Sequence, residues 1–200
     1  TLWQPYDLRT DRLNKTFVSK FFITDTEGKQ WKEPISLPRA TSRSEELEQA
    51  LSNASVLDTL PNDPDHILVI NGAGSNSGDV YKVNLRTFTS QRIQKTEERV
   101  AGYLTDLNSE LRARLRTDTD GTGAFVATEF RNPATNAWQE HFRSYVKNRD
   151  INQVVGFADD PNIAFIQSNV GRDKTIIYEY DVAARKQKEV LYEHKFFNAG

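Results

Sequence analysis

The sequence predicts an all-β fold: a partial β-propeller of about four four-stranded antiparallel blades, with one short inserted helix. A hairpin of one type recurs at Asn84, Asn132 and Asp181, with spacings of 48 and 49 residues. The turn segments 63–65 and 160–162 also correspond, at an offset of 97 residues. Repeats of about 40 to 50 residues in a chain rich in strand-forming residues are typical of propeller blades.

These repeats predict one propeller domain, 1–200, with approximate blades at 1–40, 54–98, 99–146 and 147–200. Within each blade, short runs rich in β-branched and aromatic residues alternate with turn residues, as in half-buried strands. We predict strands at 16–23, 56–57, 67–70, 80–85, 89–93, 103–104, 111–116, 124–130, 138–142, 154–157, 163–166, 176–180 and 189–192.

A helix is predicted as an insertion near 42–52. Ser42 and Glu45 have the spacing of a capping box, and apolar residues then recur on one helical face. Asp25 begins a fourth copy of the hairpin, but it precedes Asn84 by 59 residues, about ten more than the repeat. The helical insertion accounts for the excess.

Composition limits the classes of partner. The net charge is −2, so no basic excess favours nucleic acid or an anionic membrane. Cysteine is absent, which excludes disulfides, thiolate metal sites and a thiol nucleophile. No apolar run approaches the roughly 20 residues of a membrane helix. We expect a soluble protein, cytoplasmic or periplasmic, and the missing initial Met suggests a piece of a longer chain.

The candidate metal ligands are Asp118, Asp120, Thr122 and Glu129. They fall at positions 1, 3, 5 and 12 of a calcium-binding EF-hand loop, where a hard cation needs oxygen ligands. The strand-like alternation before this loop and a proline soon after it argue against the flanking helices. A hairpin turn at 118–121 is favoured, with calcium as the alternative.

The glycine-rich segment 71–79 matches neither of two catalytic patterns. A phosphate-binding loop opens a helix, whereas a strand follows here. A hydrolase nucleophile elbow needs serine at the centre, and Asn76 occupies that position between Gly74 and Gly78. A mobile hairpin loop is therefore predicted.

The histidines are predicted to be structural or surface residues, because His66, His141 and His194 lack metal-ligand spacing. No catalytic residue, cofactor-binding residue or cofactor is predicted. A turn role, rather than acid–base chemistry, is predicted for the acidic pairs at equivalent points of two blades: Asp63 with Asp65, and Asp159 with Asp160.

Three alternating arginines, Arg112, Arg114 and Arg116, are predicted to line one face of a strand. Such a row can bind a peptide carboxylate or an acidic patch on a partner. A solvated strand face is the favoured interpretation.

Several segments together resemble a known family. They are 63–69, 80–84, 156–162, 171–174 and 177–181. Across about 54–195 the chain resembles the propeller portion of prolyl-oligopeptidase-type (S9 family) serine peptidases, in the acylaminoacyl-peptidase and dipeptidyl-aminopeptidase group. A family propeller of seven or eight blades would need about 340 to 390 residues at this repeat length, roughly twice the four blades predicted here.

The resemblance implies a C-terminal α/β-hydrolase domain that carries a Ser-Asp-His triad, with the propeller limiting access to it and helping to select short peptides. The sequence departs from this pattern, because it has no Gly-x-Ser-x-Gly and no hydrolase sheet. No catalytic residue is therefore carried over.

Three functional hypotheses follow. The leading one is a non-catalytic propeller segment of a serine peptidase that gates substrate access and docks the hydrolase domain. The second is a stand-alone binding or scaffold propeller, and the third is calcium binding through 118–129. The expected partners are the hydrolase domain of the parent chain, short peptides, and further copies of this chain through open sheet edges.

Overall fold

The computed structural model describes residues 2–6, 16–35, 37, 39–72, 78–132 and 134–199. The chain divides into two compact units, Thr1–Glu98 and Arg99–Gly200. In the described part, the strands form three four-stranded and two two-stranded sheets, and every strand pair is antiparallel. The all-β class, the four-stranded antiparallel blades and the short helix are confirmed.

The first unit holds two small sheets, a helix and one four-stranded sheet. β1 pairs with β2, β3 pairs with β4, and β5 to β8 pair in chain order. The elements are β1 Leu2–Tyr6, β2 Thr16–Lys20, β3 Ile23–Thr24, β4 Trp31–Lys32, α1 Arg43–Leu51, β5 Asn53–Asp58, β6 His66–Gly72, β7 Asp79–Asn84 and β8 Ser90–Gln94.

The second unit holds two four-stranded sheets, the β9–β12 sheet and the β13–β16 sheet, each paired in chain order. A 3-10 turn, Val146–Asn148, connects them. The strands are β9 Val100–Thr105, β10 Leu111–Asp120, β11 Gly123–Arg131, β12 Trp138–Tyr145, β13 Asn152–Phe157, β14 Ile163–Ser168, β15 Ile176–Asp181 and β16 Lys186–Tyr192.

Strand order equal to chain order makes each of these three sheets an up-and-down meander, the topology of a propeller blade. The four strands that precede β5 pair two by two instead. β3 and β4 contain two residues each, so they offer few ladder hydrogen bonds to a further strand.

The helix begins where the capping pattern predicts. The Ser42 hydroxyl accepts a hydrogen bond from the Glu45 backbone N–H at 3.1 Å. The Glu45 carboxylate reaches back to the Thr41 backbone N–H at 2.7 Å, so both sides of the cap are satisfied. Hydrogen bonds to the carboxylate from the Thr41 backbone N–H and hydroxyl, and from the Ser42 backbone N–H, hold the pKa of Glu45 below its usual value.

One hydrophobic core joins the two sheets of the second unit. β15 buries alternate side chains, including Tyr178 and Tyr180, and β11 contributes Phe130. The Phe130 ring lies 6.2 Å from that of Phe157 and 6.0 Å from that of Tyr180, between centroids. Burying one such aromatic side chain stabilises the fold by about 1.5–3 kcal/mol, so this cluster fixes how the two sheets pack.

Candidate functional site

The loops at Asn84, Asn132 and Asp181 have the same local structure. Each connects the third and fourth strands of its sheet. In each, the side-chain Oδ1 accepts hydrogen bonds from backbone amides two or three residues further on, at 2.7–3.2 Å. The sequence-based prediction that these residues share one setting is confirmed.

In each loop, the residue four positions after the Asn or Asp has a backbone conformation in the left-handed region. Phe88, Asn136 and Arg185 have φ values of 57°, 61° and 54°. This conformation is uncommon for residues other than glycine, so its recurrence at one position marks a defined five-residue loop. The repeat therefore specifies backbone geometry.

The acidic turns between the first and second strands also correspond. The Asp63 and Asp160 carbonyls each accept a backbone hydrogen bond from the residue three positions on, at 3.1 and 2.9 Å. The Asp65 carbonyl accepts a hydrogen bond from the Leu85 backbone N–H at 2.7 Å. The Asn162 carbonyl likewise accepts one from the Val182 backbone N–H at 2.8 Å. These residues connect two turns of one sheet, as the turn prediction requires.

Asp63 also anchors side chains. Lys82 and His66 each lie 2.8 Å from its carboxylate, and together they lower its pKa to about 2. The other ring nitrogen of His66 lies 3.1 Å from the Asn84 amide nitrogen. His66 is thus held between two turns, in a structural role.

The calcium candidates lie on a tight hairpin. Asp120 pairs with Gly123, which leaves two residues, 121–122, at the turn between β10 and β11. The Thr122 backbone N–H donates to the Asp120 carboxylate at 2.8 Å. The favoured hairpin is therefore present, with its turn two residues later than predicted.

The candidate carboxylates contact arginines. Arg116 lies 2.8 Å from Asp118 and 2.9 Å from Glu129, and Arg143 lies 2.8 Å from Asp120. Within the described part of the chain, no three His, Asp or Glu side chains are grouped to hold a metal ion. These ion pairs connect β10 to β11 and to β12.

The arginine row on β10 is internally paired. Arg112 lies 3.2 Å from Asp106, and Arg114 lies 2.5 Å from Glu129, directly across from it on β11. The solvated-face interpretation is wrong for Arg114, which is only 5% exposed. The sheet register brings Glu129 opposite Arg114, and that pairing permits burial of the charge.

His194 stabilises a local turn, since its Nδ1 accepts from the backbone N–H groups of Phe196 and Phe197 at 3.2 Å. The glycine-rich loop predicted at 71–79 lies largely outside the described residues, which omit 73–77.

A cavity of about 240 Å³ lies in the second unit, at the loop ends of its two sheets. We call it the arginine cavity. Its walls come from β10, β11 and β12 on one side, and from the β13–β14 turn and the β15–β16 loop on the other. The polar residues around it are Arg112, Arg131, Asn132, Gln139, His141, Asn162 and Arg185.

His141 is half-buried in this cavity and forms a hydrogen bond with the Tyr180 hydroxyl at 3.1 Å. Burial, and secondarily the positive charge of Arg185, lower the pKa of His141 to about 4. The ring is therefore neutral near pH 7. Burial likewise raises the pKa of Tyr180, so its hydroxyl stays protonated.

Sequence reasoning missed the cavity and its cations. A signal is nevertheless visible: Arg131 immediately precedes the Asn132 loop, and Arg185 closes the Asp181 loop. Cations adjoining two equivalent loops of neighbouring repeats lie at the same end of both sheets. Sequence alone does not show that they line one concave surface.

One of the known proteins to which the chain is similar is a peptidase. Dipeptidyl aminopeptidase BIII of Pseudoxanthomonas mexicana is 28% identical over 141 residues, which is 70% of this chain and 20% of that protein. The chain is thus distantly homologous to a peptidase over most of its length, and the match spans a fifth of that relative. No protein-family model matches the chain.

Among solved structures, TolB from Acinetobacter baumannii is similar, with a TM-score of 0.49 and 18% identity, over 88% of this chain and 38% of that chain. No helix in the described ranges is both long and apolar enough to cross a membrane.

Proposed function

We propose that this chain is a non-catalytic propeller segment of a prolyl-oligopeptidase-type (S9) serine peptidase. It restricts access of peptides to an α/β-hydrolase domain and docks that domain. The observation that carries the proposal is the homology to a dipeptidyl aminopeptidase over 141 residues. The chain-order pairing of the three four-stranded sheets fits this role, because it is the topology of propeller blades.

The residues of this chain support a non-catalytic role. The sequence contains no Gly-x-Ser-x-Gly, the turn that exposes the serine of an α/β-hydrolase. In the described part of the chain, His66 contacts Asp63 and Asn84, and His141 contacts Tyr180. Neither contact pairs a histidine with a serine, threonine or cysteine nucleophile, so the serine nucleophile would come from a separate domain.

Exposed apolar side chains support a docking surface at the end of the second unit. Tyr192 on β16 is 44% exposed, and Phe196 and Phe197 just after it are 69% and 66% exposed. Aromatic side chains are enriched where proteins associate. We propose that these aromatic residues contact the hydrolase domain.

The coding sequence on both sides of this segment tests the proposal first. We expect it to encode an α/β-hydrolase domain with a nucleophile elbow. The full-length protein should then cleave dipeptidyl nitroanilides and exclude long unfolded peptides. Paired Phe196→Ser and Phe197→Ser changes should relax that exclusion, whereas Leu107→Ser, at an exposed turn of the same unit, should not.

A reading frame without a hydrolase domain would overturn the peptidase proposal. Binding of peptides or glycans by this chain alone would then favour the stand-alone binding propeller. If the doubly substituted full-length enzyme still excludes long peptides, the proposed docking surface is wrong, but the proposed peptidase class is unaffected.

A further inference from the structure

We propose that the arginine cavity binds a carboxylate carried by a group the size of one amino-acid residue, as at the C-terminus of a peptide. The ligand would sit between the β9–β12 and β13–β16 sheets, against Arg131 and Arg185. All of the residues involved belong to this chain, so binding is measurable whether or not a hydrolase domain exists.

The charge of the cavity favours an anion. Arg131 and Arg185 have no carboxylate within salt-bridge distance in the described part of the chain, whereas Arg112 is paired with Asp106 at 3.2 Å. His141 adds no charge near pH 7. Two cations therefore face the cavity without an acidic partner, and a carboxylate supplies the planar acceptor that a guanidinium matches best.

Nearby acidic groups do not cancel this charge. Asp160 and Asp181 belong to the loops around the cavity, and their Oδ1 atoms accept hydrogen bonds from backbone amides of their own turns. Neither side chain lines the cavity. Their negative charge reduces the local potential but leaves the arginine donors available.

Arg131 has an unsatisfied donor. Its Nε is buried and has no hydrogen-bond partner among the described residues. Its guanidinium is held 5.6 Å from the Trp138 ring centroid, in a cation–π contact. A buried charged donor without an acceptor is unfavourable, and a ligand oxygen that reached Nε would remove that cost.

Arg185 approaches from the opposite loop. Its Nη2 donates to the Gln139 side-chain oxygen at 3.4 Å, a long bond that leaves its other N–H groups for a ligand. The bond also orients the Gln139 amide at the cavity. The Asp181 loop thus brings Arg185 to the same cavity that Arg131 lines.

The size and the apolar floor select a small organic acid. Phe130 and Phe157 line the cavity and are 2% and 5% exposed. A volume of about 240 Å³ corresponds to on the order of eight waters, below the ~300–1,000 Å³ of sites for drug-sized ligands. One apolar side chain with its carboxylate fits this combination better than a fully hydrated phosphate.

The test uses the 200-residue chain and two matched ligands. N-acetyl-L-leucine carries the carboxylate, and N-acetyl-L-leucinamide has the same shape without the charge. We expect saturable binding of the acid, with the Arg131 Nε–H signal shifting in NMR spectra. Binding of the amide should be weaker by about tenfold or more, because a hydrogen bond to a charged group is lost.

Variants assign the site. Arg131→Gln and Arg185→Gln should each weaken binding of the acid by about tenfold or more, and Arg149→Gln, an exposed arginine outside the cavity, should change it less than about twofold. Arg185 is exposed, so its substitution tests the site even if Arg131→Gln does not fold.

Equal affinity for acid and amide, or no binding of either, would overturn the proposal. Tighter binding of inorganic phosphate than of the acid would show an anion site of a different class and would also contradict it.

Discussion

At the scale of single residues, His141 makes the stability of the fold depend on pH. Its pKa in the folded protein is about 4, against 6.5 in an unfolded chain. Between these values the unfolded state binds more protons, so unfolding becomes more favourable as the pH falls. Stability from this group is fully present above about pH 6.5 and is lost progressively down to about pH 4.

We therefore expect the urea concentration at the unfolding midpoint of the wild type to decrease as the pH is lowered from 6.5 to 4. Tryptophan fluorescence measures this unfolding. His141→Gln should show a smaller decrease over the same range, because its amide does not titrate. His194→Gln, which removes a histidine outside the cavity, is the matched control. Parallel pH profiles for the wild type and His141→Gln would contradict the assigned cause.

At the scale of elements, the β10–β11 strand pair depends on a buried ion pair. Arg114 and Glu129 are 5% and 6% exposed and lie opposite each other in the ladder. Removing one partner of such a pair leaves an uncompensated buried charge. Glu129→Ala should therefore lower the free energy of unfolding by about 3–5 kcal/mol, as measured by urea denaturation.

Two comparisons separate this effect from simple loss of contacts. Joint Arg114→Leu and Glu129→Leu changes should recover most of the loss, because no unpaired charge remains. Glu193→Ala breaks an exposed pair with Arg172 and should cost less than about 1 kcal/mol. A single Glu129→Ala loss no larger than that of Glu193→Ala would show that the buried pair is unimportant.

The predictability of the elements follows from how local their causes are. Every predicted strand overlaps a strand of the structure, because alternation and turn residues act within a few positions. Helix α1 follows from its cap. The recurring hairpin was predictable because it begins with an Asn or Asp whose side chain accepts hydrogen bonds from backbone N–H groups of the same loop.

The arginines were harder to interpret, because their partners are distant in sequence. The burial of Arg114 depends on Glu129, which a two-residue turn brings into register from the next strand. The arginine cavity depends on residues from Arg112 to Arg185 that meet only when two sheets pack. The pattern of residues within one strand does not predict contacts between residues of two different sheets.

At the scale of the whole molecule, we expect self-association. All of β16, the outer strand of its sheet, is exposed, and it carries Val190, Leu191 and Tyr192. An exposed edge strand presents unpaired backbone groups that another chain can bind. Light scattering at high concentration should give a mass above the 22.9 kDa of one chain.

A charge on the edge should reduce this association. Leu191→Lys places a lysine on β16, and lysine opposes edge-to-edge pairing. Leu107→Lys makes the same change at an exposed turn in the same unit and should leave the mass unchanged. A mass of 22.9 kDa for the wild type at every concentration would refute association through this strand.

The five-residue loop has a consequence for how such a chain can diversify. Its first and last residues set the backbone, so the exposed side chains between them do not have to shape the loop: Arg86 and Thr87 in one copy and Ala183 and Ala184 in another. Gene duplication can therefore copy a sheet intact while mutation rewrites the chemistry at its tip. New recognition can evolve, or be grafted in the laboratory, one tip at a time.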